Sequence, residues 1–305
     1  ADECDLGHQF DPADLIKPTS SLTGCVPELR PVRNWYFDLP NFREQLGEIA
    51  ENLEADPEVR PVVSQTAKEF LVPPVIYIKN ELEADYRAIE SKLPAHEFHA
   101  AEGNKQSFEL EFANIESRDA ARDELTAAGI RFRTGKALVP FRISGNVEWG
   151  VKVPEMESVD DLTVWCWPES LWAPVSFSAT ALEARGEELS AVRDWWCSPD
   201  ARVYQFIGQD NLYFYGVAQP ALWMALENGN AEVAYPQPGD LQQTTLIANH
   251  HILFGKVKAS SSGAVKPPSA DQLLEHYTVD QLRAHWLGLG LDVKSVGFKP
   301  KPFEV

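Results

Sequence analysis

From residue 161 to residue 254 strand-like and helix-like stretches alternate, and no other feature narrows the possible folds of this 305-residue chain as far. Leu162–Trp167, Val203–Ile207 and Leu246–Phe254 are apolar runs that predict strands. Between them lie a helical region ending near Trp196 and a helix predicted from about Tyr213 to Asn228. Two strands joined through a helix run parallel, because an antiparallel neighbour needs only a tight turn. The continuous apolar character of Tyr204-Gln205-Phe206-Ile207 predicts a strand covered on both faces. Such sheets bind ligands at the carboxyl ends of their strands, so the chemistry is expected on the loops after Trp167, Ile207 and Phe254. The fold class expected is α/β.

The preceding residues follow a different plan. Residues 1–40 are rich in Pro, Asp, Ser and Thr and read as irregular structure around short strands. Asn41 then opens a helical pattern carried by Phe42, Leu46, Ile49, Ala50 and Leu53, and Val62–Phe70 predicts a second helix closed by Pro73-Pro74. A strand at Val75–Ile78, a helix over Glu81–Leu93, a strand at Phe108–Phe112, a helix over Ser117–Ala128 and a strand from Ile130 make a β-α-β-α-β order, the mark of a small α+β insert over 72–141.

Composition excludes several classes of function. Lys and Arg number 27 against 46 Asp and Glu, a net charge of −19 that argues against a broad phosphate-binding face. Only the stretch from His251 onward is locally positive, with seven Lys/Arg against five Asp/Glu. The longest apolar run, Leu71–Ile78, contains two prolines and falls far short of the ~18 residues of a membrane span. Cys4, Cys25, Cys166 and Cys197 form no C-x-x-C pair and nothing resembles a signal peptide, so a reduced, cytoplasmic protein is expected. The chain starts at Ala1 without an initiator Met, which suggests a piece of something longer.

Five blocks in order carry a resemblance. They are Asp11-Pro12-Ala13-Asp14-Leu15-Ile16-Lys17-Pro18 with Trp35-Tyr36-Phe37-Asp38-Leu39-Pro40-Asn41-Phe42; Ile143-Ser144-Gly145-Asn146-Val147-Glu148-Trp149-Gly150-Val151-Lys152-Val153-Pro154; Val164-Trp165; Gln205-Phe206-Ile207-Gly208-Gln209-Asp210-Asn211; and Tyr213-Phe214 with Gln219-Pro220-Ala221. Together they resemble the middle and later part of the methionyl-tRNA synthetases, class I enzymes that activate an amino acid with ATP and transfer it to tRNA. The similarity covers residues 4–71 and 142–303. It implies the second half of a class I Rossmann-like parallel sheet, without the first catalytic half or the anticodon-binding domain. On this division residues 1–71 are a connective-peptide and knuckle remnant with return helices and 72–141 the insert. Residues 142–255 are then the catalytic second half, and 256–305 hold a K-M-S-K-S-like loop and a stem-contact segment.

The resemblance also implies a site, and this sequence departs from it at several positions. In the second nucleotide signature, Lys258-Ala259-Ser260-Ser261-Ser262-Gly263, Lys258, Ser260 and Ser262 keep their places while the second lysine is Ser261. Loss of one ammonium removes a charge-assisted contact of about 1.5–3 kcal/mol. Gly208 and Asp210 stand where the family binds nucleotide, although Asp210 is equally suited to capping the next helix. The amino-acid pocket maps to Trp165, Trp167, Glu169 and Trp172, with Trp167 in place of an aspartate, while Gly145 and Asn146 replace an arginine and an aspartate. A packed core edge competes with a pocket as the reading of this Trp-rich run. ATP with Mg is the implied cofactor pair. Zinc is expected to be absent, because Cys4, His8 and Cys25 make only three donors and Gly7 takes a ligand position. The pairs His96/His99 and His250-His251 read as surface residues, so no metal site is expected. tRNA is implied as a partner by resemblance alone, against the net charge of −19; a missing N-terminal half or a protein partner is the other candidate. Two functions stay open: a synthetase-like protein inactive as this chain, and a non-catalytic module that binds a nucleotide, a small amino acid or a protein.

Overall fold

The computed structural model describes residues 15, 17–20, 23–28, 31–155, 161–228, 235–254, 257–258 and 267–298, and only the backbone of residues 228, 254, 257 and 258. A short strand β1 (Tyr36–Phe37) leads through a 3-10 turn into α1 (Arg43–Ala55) and α2 (Pro61–Leu71). Leu46, Ile49, Ala50 and Leu53 recur at helical spacing, and all four are buried against Val63, Ala67 and Phe70 of α2. Pro61 starts α2 where its missing N–H costs nothing.

Six elements follow: β2 (Val75–Lys79), α3 (Glu83–Ile89), β3 (His96–His99), β4 (Ser107–Phe112), α4 (Ile115–Ala127) and β5 (Phe132–Thr134). Their sheet runs β3-β4-β2-β5 with every neighbour antiparallel, the split βαβ arrangement of ferredoxin-like folds. The sequence reading lacks β3, since His96-Glu97-Phe98-His99 contains one strong strand former and is recognised only by pairing with β4. Asn114 caps α4, its side chain accepting from Ser117 N at 2.8 Å, so the helix begins two residues before the expected start. Ile76, Ile78, Tyr86, Phe108, Leu110, Phe112, Ala121 and Leu125 form a core separate from that of α1 and α2. Each large side chain buried there contributes about 1.5–3 kcal/mol.

Gly135 N donates to Val75 O at 2.8 Å, so the two ends of this sheet are adjacent. Leu138 and Phe141 then return to the first core, and β6 (Phe141–Arg142) pairs with β1. β7 (Ser144–Gly145) pairs antiparallel with β8 (Thr163–Val164), and α5 (Cys166–Ala184), α6 (Val192–Trp196) and β9 (Tyr204–Gly208) follow. A π-helix over Phe214–Ala218 runs into α7 (Gln219–Asn228), and β10 (Thr245–Asn249) lies parallel to β9, with Gly208 opposite Asn249. The chain continues through β11 (Ile252–Phe254), β12 (Val257–Lys258), α8 (Ala270–Leu274), α9 (Val279–Leu287) and β13 (Val296–Gly297). β12 pairs antiparallel and β13 parallel with β11.

The architecture is α/β, but three expectations change. The run Leu162–Trp167 keeps strand geometry only at Thr163–Val164, and its partner is the antiparallel β7; Cys166 and Trp167 already belong to α5. The strand expected over Leu246–Phe254 breaks at His250-His251, where His250 N donates to Leu291 O at 2.8 Å and His251 N to Ser295 Oγ at 3.2 Å. β9 is covered on one face only: Gln205 is buried while Phe206 is 73% exposed. No helix among the described residues is long and apolar enough to cross a membrane.

Because the insert has its own core and adjacent ends, excision of residues 75–134 with Pro74 joined to Gly135 should leave two folded pieces. Thermal unfolding followed by far-UV circular dichroism is expected to show a cooperative transition for each. A remainder without helical signal at room temperature would mean that the sheet supplies essential core.

Candidate functional site

Four segments converge where β9 passes under α7 and α5. Gln205 Nε2 on β9 donates to Gln219 Oε1 and to Thr244 Oγ1, both at 2.7 Å, and Gln219 Nε2 donates to Leu171 O on α5 at 2.9 Å. Gln219 is 1% exposed and Gln205 8%, so these amides must satisfy one another. The π-helix delivers Gln219 to this place by adding a residue to the turn ahead of α7. Within α5, Pro174 lacks the N–H that would serve the Ser170 carbonyl, and the neighbouring Leu171 carbonyl is where Gln219 docks.

The implied amino-acid pocket is occupied by packing. Trp167 lies flat on Phe214, ring centroids 3.7 Å apart and planes at 8°, and packs against the main core. Trp172 belongs to a second cluster with Trp223, Trp196 and Tyr235, its ring 6.2 Å from that of Trp223. Glu169 points to solvent. Trp165, at the N-cap of α5, is covered by the Arg142 guanidinium, 4.8 Å from its ring. Arg142 is a residue the sequence reading misses. A Cβ on Gly145 would stand 3.2 Å from Arg142 Nη2, so this guanidinium takes up the room beside Gly145 where the family pattern places an arginine side chain. Its Nε donates to Ser144 O at 2.7 Å, which holds it there. The signal was present, an arginine three residues before the glycine, but only the β6-to-β7 turn brings the two together.

The carboxyl ends of the parallel strands form a second edge. Gly208 ends β9 as the N-cap of the 3-10 turn Gln209–Asn211, so the capping position belongs to Gly208 and Asp210 is exposed in the turn's first residues. A Cβ on Gly208 would lie 2.5 Å from Asp210 Oδ1, which makes glycine necessary for this carboxylate to fold back over the strand end. Across the edge, Arg60 Nη1 donates to Ala248 O and to Asn249 Oδ1, both at 2.6 Å, pinning the start of α2 to the end of β10. Burial pushes the phenol of Tyr213, beside Phe70 and Phe214, well above its ordinary range, so it stays neutral.

Lys258 has its backbone in β12, next to β11, and its side chain lies outside the described residues, as do Ser260, Ser261 and Ser262 entirely. Cys4, Gly7 and His8, where the resemblance implies a knuckle remnant, also lie outside them, and Cys25 is an exposed free thiol. A small crevice is lined by Gln219, Trp223, Tyr235, Gln243 and Thr244 among others. It sits by the amino-terminal end of β10, away from Gly208 and Asn249 at the carboxyl ends of the parallel strands.

With this geometry in hand, comparison with known proteins is informative. A family model described as tRNA synthetases class I (M) matches residues 1–82 and 131–303, and the gap falls inside the split βαβ sheet. A methionine–tRNA ligase of Chloroflexus aggregans is 26% identical over 291 residues, covering 92% of this chain and 37% of that protein. One from Korarchaeum cryptofilum is 25% identical over 304 residues, covering 99% of this chain and 40% of that protein. The chain therefore spans about two fifths of the length of these curated relatives. A solved Mycobacterium tuberculosis methionyl-tRNA synthetase bound by methionyl-adenylate overlaps 86% of this chain and 47% of its own, at 18% identity and a TM-score of 0.37, too loose to carry the comparison further.

The buried amides generate a stability test. Gln219→Leu removes one donor and one acceptor, leaving Leu171 O and Gln205 short of partners in a dry site; the expected loss is about 2–4 kcal/mol in denaturant unfolding. A loss under about 0.5 kcal/mol would show that the network does not hold α5 to β9.

Proposed function

This chain belongs to the class I tRNA synthetases (M), and from that premise we propose that it is a methionyl-tRNA synthetase-like segment that binds an adenine nucleotide at the carboxyl ends of β9 and β10 but does not activate an amino acid by itself. The observation that carries the second clause is the stack of Trp167 on Phe214. Adenylate formation requires the amino acid's ammonium to be held so that its carboxylate meets the α-phosphate in line. An aspartate at position 167 could pair with that ammonium; an indole committed to a ring 3.7 Å away offers no charge.

Three residues support the first clause. Gly208 lets the Asp210 carboxylate fold back over the strand end, Asp210 presents a carboxylate suited to a ribose diol, and Lys258 supplies the one cation retained from the K-M-S-K-S-like signature. Mg with ATP is the implied cofactor pair. The knuckle donors Cys4, His8 and Cys25 are proposed to hold no zinc, since Gly7 leaves the set one ligand short.

The parallel sheet supports a further part of the proposal. Among the described residues β9 pairs only with β10, and Phe206 is 73% exposed, so one face of this parallel strand lacks the cover usual for such sheets. We assign the missing cover to a segment corresponding to the part of the relatives that this chain does not span, with tRNA binding a property of that larger assembly.

The isolated chain should show no methionine-dependent ATP–pyrophosphate exchange, and Ser261→Lys should not restore it. A single missing lysine would cost at most about two orders of magnitude at ~1.4 kcal/mol per tenfold, whereas here positioning is lost as well. Calorimetric titration with ATP should detect weak binding that Gly208→Val abolishes. Exchange above background that depends on methionine and disappears in Lys258→Ala would overturn the proposal.

A further inference from the structure

The open face of the insert's sheet carries a cluster unconnected with the nucleotide edge. Glu97 and His99 are two residues apart on β3 and so share a face, and the β3–β4 register sets Glu97 directly opposite Glu111. His99 Nε2 lies 3.4 Å from Glu111 Oε2 and 4.0 Å from Glu97 Oε2. One donor atom from each of the three lies within 4.8 Å of the others, and among the described residues no second group of three does so. We propose that Glu97, His99 and Glu111 bind a divalent first-row transition metal ion, with zinc as the reference ion.

Geometry and ligand chemistry support this. A tetrahedral zinc with N and O ligands at 2.0–2.2 Å keeps its donors about 3.3 Å apart. One pair is already at 3.4 Å, and the side chains are 36–79% exposed, so small rotations close the rest. One imidazole with two carboxylates suits zinc, cobalt(II) or manganese(II) and leaves at least one position for water; an all-oxygen Mg site has a different donor set.

Electrostatics gives the cluster a need for a cation. Two glutamates opposite each other on neighbouring strands repel, within a chain of net charge −19. A neighbouring cation is engaged elsewhere: Lys105 Nζ holds Glu109 at 3.0 Å. Among the described residues no Lys or Arg pairs with Glu97 or Glu111. His96 takes no part, because its ring faces the core side, bonded to Tyr86 Oη at 2.8 Å. His99 is exposed, as expected of a surface residue, and pairing with β4 adds a neighbouring carboxylate that spacing along the chain does not reveal.

The test is equilibrium dialysis of the full chain against zinc chloride, in a background with Cys4, His8 and Cys25 replaced by alanine to remove the knuckle donors. One zinc per chain is expected, with at least a tenfold loss of affinity in His99→Ala and in the isosteric Glu97→Gln, and no change in His96→Ala provided its circular dichroism is native. Zinc should also raise the thermal midpoint of the parent and not that of Glu97→Gln. Equal zinc binding by the parent and Glu97→Gln, or none at millimolar zinc, would overturn the site and leave His99 as an ion-pairing partner of the two carboxylates.

Discussion

A single amide-to-amide hydrogen bond, Gln205 to Gln219 at 2.7 Å, is the contact on which the arrangement of the catalytic-like half depends. It joins the buried face of β9 to the end of the π-helix, and through Leu171 it fixes α5 against both. Because Gln205 also donates to Thr244, the residue ahead of β10, the same pair sets where the second parallel strand begins. In a dry interior each of these groups costs far more unpaired than it returns when paired, so the network specifies one packing among many that an apolar core would tolerate. With α5 so placed, Trp167 stacks on Phe214, the residue that opens the π-helix.

What was legible in the sequence follows from the range of the interactions concerned. The α1–α2 hairpin was readable to within a residue or two because its signals are local: apolar spacing at Leu46, Ile49, Ala50 and Leu53, Pro61 at the start of α2, Pro73-Pro74 beyond its end. β3 was not, since nothing in His96-Glu97-Phe98-His99 announces a strand until β4 offers it hydrogen bonds. The exposed face of β9 was misjudged for a related reason. An apolar strand announces that cover exists somewhere, not that this segment of chain contains it, and Phe206 remains open to solvent. Gly208 and Asp210 lie at the end of β9 and in the turn after it, where the strand was expected to end, whereas Arg142 escaped notice because its relation to Gly145 is spatial.

Arg142 also changes how the departures from the family pattern are understood. Read along the chain, Gly145 stands where the resemblance leads one to expect an arginine; in space, a guanidinium from three residues upstream lies beside it and over Trp165. The glycine makes this possible, for a Cβ there would press on Nη2 at 3.2 Å. A positive charge is therefore retained beside the N-cap of α5, although its direction is set by Ser144 O and the Trp165 ring rather than by a substrate. Trp167 has no such compensation, since Glu169, the nearest carboxylate along the chain, is turned to solvent on the helix.

The insert obeys the opposite logic to the half it interrupts. Its sheet has one face sealed by α3 and α4 and one face open, which an antiparallel sheet tolerates, and its ends meet at Val75 and Gly135, so it makes no demand on the first core. The parallel pair β9–β10 tolerates exposure badly and is held by contacts along its length, with Arg60 clamping β10 at one end and the glutamine network at the other. A chain built this way can accept change on the insert without disturbing the carboxyl ends of β9 and β10. The acidic character of the insert's open face is consistent with that freedom. Glu97, Glu109 and Glu111 line up on the β3–β4 side of this face, with Tyr77 and Arg133 on its β2–β5 side, so the β3–β4 side favours a cation over a phosphate.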